Sequence, residues 1–264
     1  MSEKDLQNVE EGRSKFSSYV LTQAILVTVA CSLILIFARD RPPIFPSKAA
    51  SKKQEPLNFK KEFAALMANK NYMILCLAFT CQYANSSALG AIISSITFSY
   101  GYMSSDNAIF GGSFIICGIL GSFFVAVLLD KIQKFKATLQ ILTALSLISF
   151  LIAFLTLPWG NTLLFALTIM LIGGSMVPIV PTSFAFSVEL TYPTSESISN
   201  GMMILPSKVY GVILGVVASF LCRSSPLYAI GLMALNAFIS FIAIFYLHEE
   251  FRRLKYSLEA ASLK

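Results

Sequence analysis

The chain has little charge, one tryptophan and one histidine, and no paired-cysteine motif. Asp, Glu, Lys and Arg make up 13% of its 264 residues, against about 25% in an ordinary soluble domain. That shortfall excludes a soluble globular enzyme, a disordered chain and a nucleic-acid binder. A single His and a single Trp leave no basis for a dense metal or haem site. Cys31, Cys76, Cys81, Cys117 and Cys222 are scattered through apolar runs without CxxC spacing, so they read as buried, inert thiols rather than a disulfide framework. No nucleophile–base pair, acidic–His cluster or phosphate-cradling loop is present, and neither an enzymatic activity nor a cofactor is expected.

What the chain does have is apolar length. Hydrophobic residues make up 56% of it, and its mean hydropathy is +0.71. A hydrocarbon core of about 30 Å needs about 20 apolar residues in a helix. Stretches at about 18–38, 72–98, 108–129, 137–157, 162–187, 201–221 and 227–247 meet that need. They are continuous rather than alternating, which excludes a β-barrel. The expected fold is therefore all-α and integral to the lipid bilayer. A polar N-terminal segment (1–17) precedes one span (18–38), a charged linker (39–71), a six-helix bundle (72–247) and a tail (248–264). Within the linker, residues 58–69 can form a short surface helix with Phe59, Phe63 and Leu66 on one face.

The basic residues are distributed unevenly. The linker carries Arg39, Arg41, Lys48, Lys52, Lys53, Lys60, Lys61 and Lys70; the 130–136 loop carries Lys131, Lys134 and Lys136; the tail carries Arg252, Arg253, Lys255 and Lys264. The other face has Lys4, Arg13, Lys15 and Arg223. The positive-inside rule places the linker and the C-terminus in the cytoplasm, with the plasma membrane as the default location.

Several spans contain more than a membrane anchor needs. Gln82, Asn85 and Ser86 share one helical face, with Tyr83 and Ser87 on the adjacent row. Such groups either line a wet cavity or hydrogen-bond between helices. Lys208 lies inside a span between Pro206 and Gly211, which suggests a broken inner stretch. It can face a substrate or coupling pathway, pair with Glu189 or Glu196, or reach the interface. Gly173, Gly174, Pro178 and Pro181 combine close helix contact with a bend, as a gating helix would. Gly121 opens a run ending in Asp130 and Lys131, where a carboxylate against a basic tight loop can hold two helices in one gating state. A seven-span chain without catalytic groups points to transport.

The one-plus-six arrangement resembles the end of one half, the central linker and the whole second half of a major facilitator superfamily transporter. Gly121 to Lys136 (GSFFVAVLLDKIQKFK) is similar to the superfamily's loop signature. Glu189 to Gly201 (ELTYPTSESISNG), Lys208 to Gly211 (KVYG) and Arg41 to Ser47 (RPPIFPS) resemble the feline leukaemia virus subgroup C receptor-related branch. Members of that branch are associated with haem, choline and related small solutes. The resemblance implies a solute carrier moving a small organic solute by alternating access. It implies Tyr83 and its neighbour Gln82 at the pocket, and gating or loop roles for Glu189 and Glu196. The family's pattern has Gln where this chain has Lys208, an ammonium that would repel a quaternary ammonium and favours an anionic or zwitterionic solute or a structural role for Lys208. The resemblance also makes the chain a little over half of a transporter: a fragment, a half that assembles with the missing N-terminal half or a second copy, or a non-transporting regulatory scaffold.

Overall fold

The computed structural model describes the backbone of residues 3–37 and 59–248, and side chains from residue 11 onward. The chain divides into two compact units, Met1–Pro56 and Leu57–Lys264. Most of the linker, including the 41–47 motif, the basic tail beyond residue 248 and the Lys4 side chain lie outside the described residues.

The first unit holds one helix, α1 (Glu3–Phe37). It runs back through the polar stretch before residue 18, where good helix formers carry it and Lys15 pairs with Glu11 at 2.7 Å. Thr22, Thr28 and Ser32 each donate their hydroxyl to the carbonyl one turn earlier, which removes a free polar group from an otherwise apolar surface.

The second unit contains α2 (Phe59–Ala68), α3 (Lys70–Phe98), α4 (Ser104–Ile132), α5 (Phe135–Thr156), α6 (Thr162–Met176), α7 (Ile179–Thr191), α8 (Glu196–Ser224) and α9 (Pro226–Phe245). Helices α6 and α7 together form one span, so the described residues hold six helices long and apolar enough to cross a membrane. The count becomes seven when α2 and α3, bent by 87° at their junction, are taken together. Helix α3 is the polar member of the set because it carries the Gln82–Ser87 run. The exposed face of α4, with Ile115, Ile116, Ile119, Leu120, Phe123 and Phe124, is suited to hydrocarbon rather than water.

Side-chain bonds tie the linker-side end together. Asn69 caps α3 by accepting from the Tyr72 N–H at 3.2 Å and donates its amide to the Leu190 carbonyl at 3.0 Å. The Tyr72 hydroxyl donates to the Ser199 carbonyl at 2.7 Å, and the Ser195 N–H donates to Glu62 Oε2 at 2.8 Å. Helix α2 stacks Phe59 on Phe63 and buries Leu66. It thereby sits against the α7–α8 connection, which contains a cis Tyr192–Pro193 bond. At the opposite end Tyr102 donates to the Leu157 carbonyl at 3.3 Å. Burial, and behind it the Asp106 carboxylate, raises this phenol above its ordinary range.

The interior consists of two apolar cores. One is built on Leu66, Tyr72, Phe79, Leu139, Phe186 and Met203 at the linker end. The other is built on Ile96, Tyr102, Phe110, Phe150, Phe165 and Met233. Between them the helices cross a polar layer in which Gln82, Asn85, Ser146, Asn236 and Ser240 are buried.

The sequence suggested a break around Pro206, but α8 is one helix from Glu196 to Ser224 with Pro206 inside it. Pro206 cannot donate to the carbonyl one turn back, Met202. The Cys76 thiol on α3 donates to that carbonyl instead, at 3.9 Å. The break lies in the Gly–Pro span: α6 ends at Met176 and α7 begins after Pro178.

Candidate functional site

Helices α3 and α8 pack against each other and border a groove of about 660 Å³. Small residues allow the approach: a Cβ on Gly211 would stand 3.4 Å from the Ser87 Cβ and 3.6 Å from the Ala84 Cα. Around that contact the groove is lined by Ser87, Lys208, Ser219 and Arg223 among apolar Ile92, Val212, Val216 and Phe220.

The polar run of α3 divides between two environments. Gln82 and Asn85 are 2% and 0% exposed and turn into the bundle. The Ser146 hydroxyl donates to Gln82 Oε1 at 3.0 Å. Asn85 donates to the Met233 carbonyl at 2.9 Å, and Asn236 donates to Asn85 Oδ1 at 2.9 Å and to the Cys81 carbonyl at 2.8 Å. Tyr210 completes the network by donating to Asn236 Oδ1 at 3.0 Å. Both amides are thus hydrogen-bonded between helices: in hydrocarbon an amide takes the partners that neighbouring helices offer. Gln82 Nε2 is buried without a hydrogen-bond partner among the described residues. Ser86 is half-buried, and Ser87 opens onto the groove.

Tyr83, on the neighbouring row, is half-buried. Its ring packs 5.5 Å from Phe79, which packs 5.4 Å from Phe184 on α7. Lys208 Nζ lies over the Tyr83 ring, 4.7 Å from its centroid, within cation–π range. Among the described residues Lys208 makes no ion pair. Glu196 opens α8, about 18 Å away along the helix at about 1.5 Å per residue. Glu189 sits on α7, half-buried, with Oε2 lacking a hydrogen-bond partner among the described residues.

Of the residues read as gating elements, Gly121, Gly173, Gly174 and Pro178 meet in one contact between α4 and the α6–α7 break. A Cβ on Gly121 would lie 2.8 Å from the Gly174 carbonyl oxygen and 3.3 Å from Pro178, and a Cβ on Gly173 would run into the Phe114 carbonyl. Gly118 joins the same seam against Val177. Pro181 is exposed one turn further along α7, and Asp130 and Lys131 are exposed at the end of α4. Gln133 closes α4 in the left-handed region, donating its N–H to the Leu129 carbonyl at 2.8 Å.

Sequence reasoning did not single out Asn236, the hub of the buried network. Its signal was a lone amide in the middle of an apolar span. Phe79 and Phe184, which fix the Tyr83 ring, carried no signal beyond being two of 22 phenylalanines.

A bundle of long apolar helices with a buried polar layer defines a multi-pass integral membrane protein. Residues 15–205 match the Major Facilitator Superfamily, and the chain belongs to that superfamily. It is similar to the choline/ethanolamine transporter flvcr2a of Danio rerio, at 26% identity over 204 residues, covering 75% of this chain and 43% of that protein. It is also similar to the choline/ethanolamine transporter FLVCR2 of Homo sapiens, at 25% identity over 196 residues, covering 72% of this chain and 37% of that protein. The choline/ethanolamine transporter FLVCR1 of Felis catus is 27% identical over 196 residues, covering 71% of this chain and 34% of that protein. The matched part of the chain thus spans 34–43% of the length of these relatives.

Proposed function

We propose that the chain is part of a secondary transporter of the receptor-related choline/ethanolamine branch that moves a small organic solute by alternating access. In this reading the groove between α3 and α8 forms one wall of the pathway. Lys208, seated on Tyr83, faces the solute together with Ser87, half-buried Ser86 lies beside them, and Gln82 and Asn85 hold the wall in place from behind. The other wall belongs to a second set of helices, either the N-terminal half that longer relatives have room for or a second copy of this chain. The seam of Gly121, Gly173, Gly174 and Pro178 is the contact at which helices shift between states, with Asp130 and Lys131, Glu189 and Glu196 at its loop end. The linker and tail face the cytoplasm, and the membrane is the plasma membrane.

The observation that carries the reading is Lys208 seated over Tyr83 on an open groove. A mid-span lysine is among the most expensive residues a membrane helix can hold, so functional placement is the default expectation. The chain is to be reconstituted in vesicles, alone and with a supplied N-terminal half. Uptake of labelled choline, ethanolamine, phosphocholine and amino acids is then measured. Saturable uptake that falls at least tenfold with Tyr83→Ala is the expected outcome. No saturable uptake of any of them by the assembled protein would favour a non-transporting scaffold and overturn the proposal.

A further inference from the structure

The charges on the groove are of one sign. Lys208 and Arg223 are its ionisable lining residues, Ser87 and Ser219 contribute hydroxyls, and the remaining lining is apolar or glycine. Both cations lie over aromatic rings rather than beside carboxylates: Lys208 is 4.7 Å from Tyr83, and Arg223 is 5.2 Å from Phe220. A ring face attracts an ammonium without neutralising it or using its remaining N–H donors. The Lys208 charge is therefore available to a ligand.

The seat of that charge is fixed. Tyr83 is braced by Phe79, and Phe79 by Phe184, so the ammonium rests on a ring held in place from another helix. Ser87 lies one turn along α3 from Tyr83, lines the same groove and has no hydrogen-bond partner among the described residues. The groove's 660 Å³ falls in the usual range for small-molecule sites.

Resting on the reading of this groove as a solute pathway, we infer that it selects a solute bearing a phosphate or carboxylate, and that Lys208 determines this specificity. A quaternary or primary ammonium entering the groove finds its one lining ring, Phe220, already under Arg223, and meets the like charge of Lys208 between low-dielectric walls, where repulsion is amplified. An anionic group meets an ammonium and a serine hydroxyl together, a charge-assisted pairing. Lys208 is a tethered cation in the place a cationic ligand would take.

The test uses choline and phosphocholine, which share the same ammonium and differ by a phosphate. The full chain in maltoside micelles is acetylated at its lysines with limiting acetic anhydride, and modification of Lys208 is followed by mass spectrometry, with exposed Lys131 as the internal reference. Saturating phosphocholine is expected to slow Lys208 acetylation about tenfold or more, and choline less than about twofold. Lys208→Arg should keep the preference for phosphocholine in equilibrium binding, and Lys208→Gln should reduce it by about tenfold.

Equal protection by choline, no protection by phosphocholine, or an unchanged preference in Lys208→Gln would overturn the inference. Protection by dihexanoyl phosphatidylcholine but not by free phosphocholine would identify a lipid-headgroup site and overturn it as well. Protection without uptake in vesicles would leave the inference standing and remove the transport reading. Saturable choline uptake indifferent to Lys208→Gln would do the reverse.

Discussion

The side-chain amide of Asn236 donates to Asn85 Oδ1 at 2.9 Å and also to the Cys81 carbonyl, while its own oxygen accepts from Tyr210. One residue on α9 thus satisfies groups on α3 and α8 at the level where the two apolar cores meet. Asn236→Leu would leave the buried Asn85 Oδ1 without its donor and remove the acceptor of the part-buried Tyr210 hydroxyl, and a buried group left unsatisfied costs about 1–3 kcal/mol. Thermal unfolding in detergent should show a large destabilisation. A cycle combining Asn85→Ala with Asn236→Ala should show coupling of about 1 kcal/mol or more; additive effects would refute the network.

The α4–α6 seam makes a sharper prediction about size. Gly173→Ala drives a Cβ into the Phe114 carbonyl, and Gly111→Ala on the same α4 meets nothing within 4 Å. Overpacking costs about 1–3 kcal/mol, so the first variant should lose stability in a chemical-denaturation series and the second should not. Equal behaviour of the two would mean that the helices do not approach at these glycines.

Cys76 and Pro206 form a compensating pair. Cys76→Ala leaves the Met202 carbonyl without its thiol donor and should cost about 1 kcal/mol. Pro206→Ala restores a backbone N–H to the same carbonyl. The double variant should therefore lose less than Cys76→Ala alone, as read by unfolding midpoints. A simple sum of the two effects would remove the compensation.

Glu62 anchors α2 to the start of α8 through the Ser195 N–H. Glu62→Ala should speed hydrogen exchange at the Ser195 amide by about fivefold, the equivalent of about 1 kcal/mol for one charge-assisted bond. Exchange in α9 should not change. Protection retained at Ser195 would show that the carboxylate does not hold it.

The all-helical membrane fold was legible because continuous apolar runs of span length have few alternative structures. The environment of each polar residue was not. Gln82, Asn85 and Ser86 share a face by spacing alone, but Ser146 and Asn236, more than sixty residues downstream, decide that the two amides point inward. The glycines and prolines at 121, 173, 174 and 178 were each visible as small or helix-breaking residues. Their convergence depends on how α4 lies across α6, which no local pattern encodes. Pro206 misled for the same reason: the thiol that accommodates it comes from another helix.

The polar layer between the two cores acts as a waist. The apolar packing at the linker end and at the far end are separate bodies of side chains, joined through a layer of buried amides and hydroxyls. A helix can therefore loosen at one end of the bundle while its other end stays locked. In the proposed transport reading, a core divided in two would let each mouth of the pathway be opened alone.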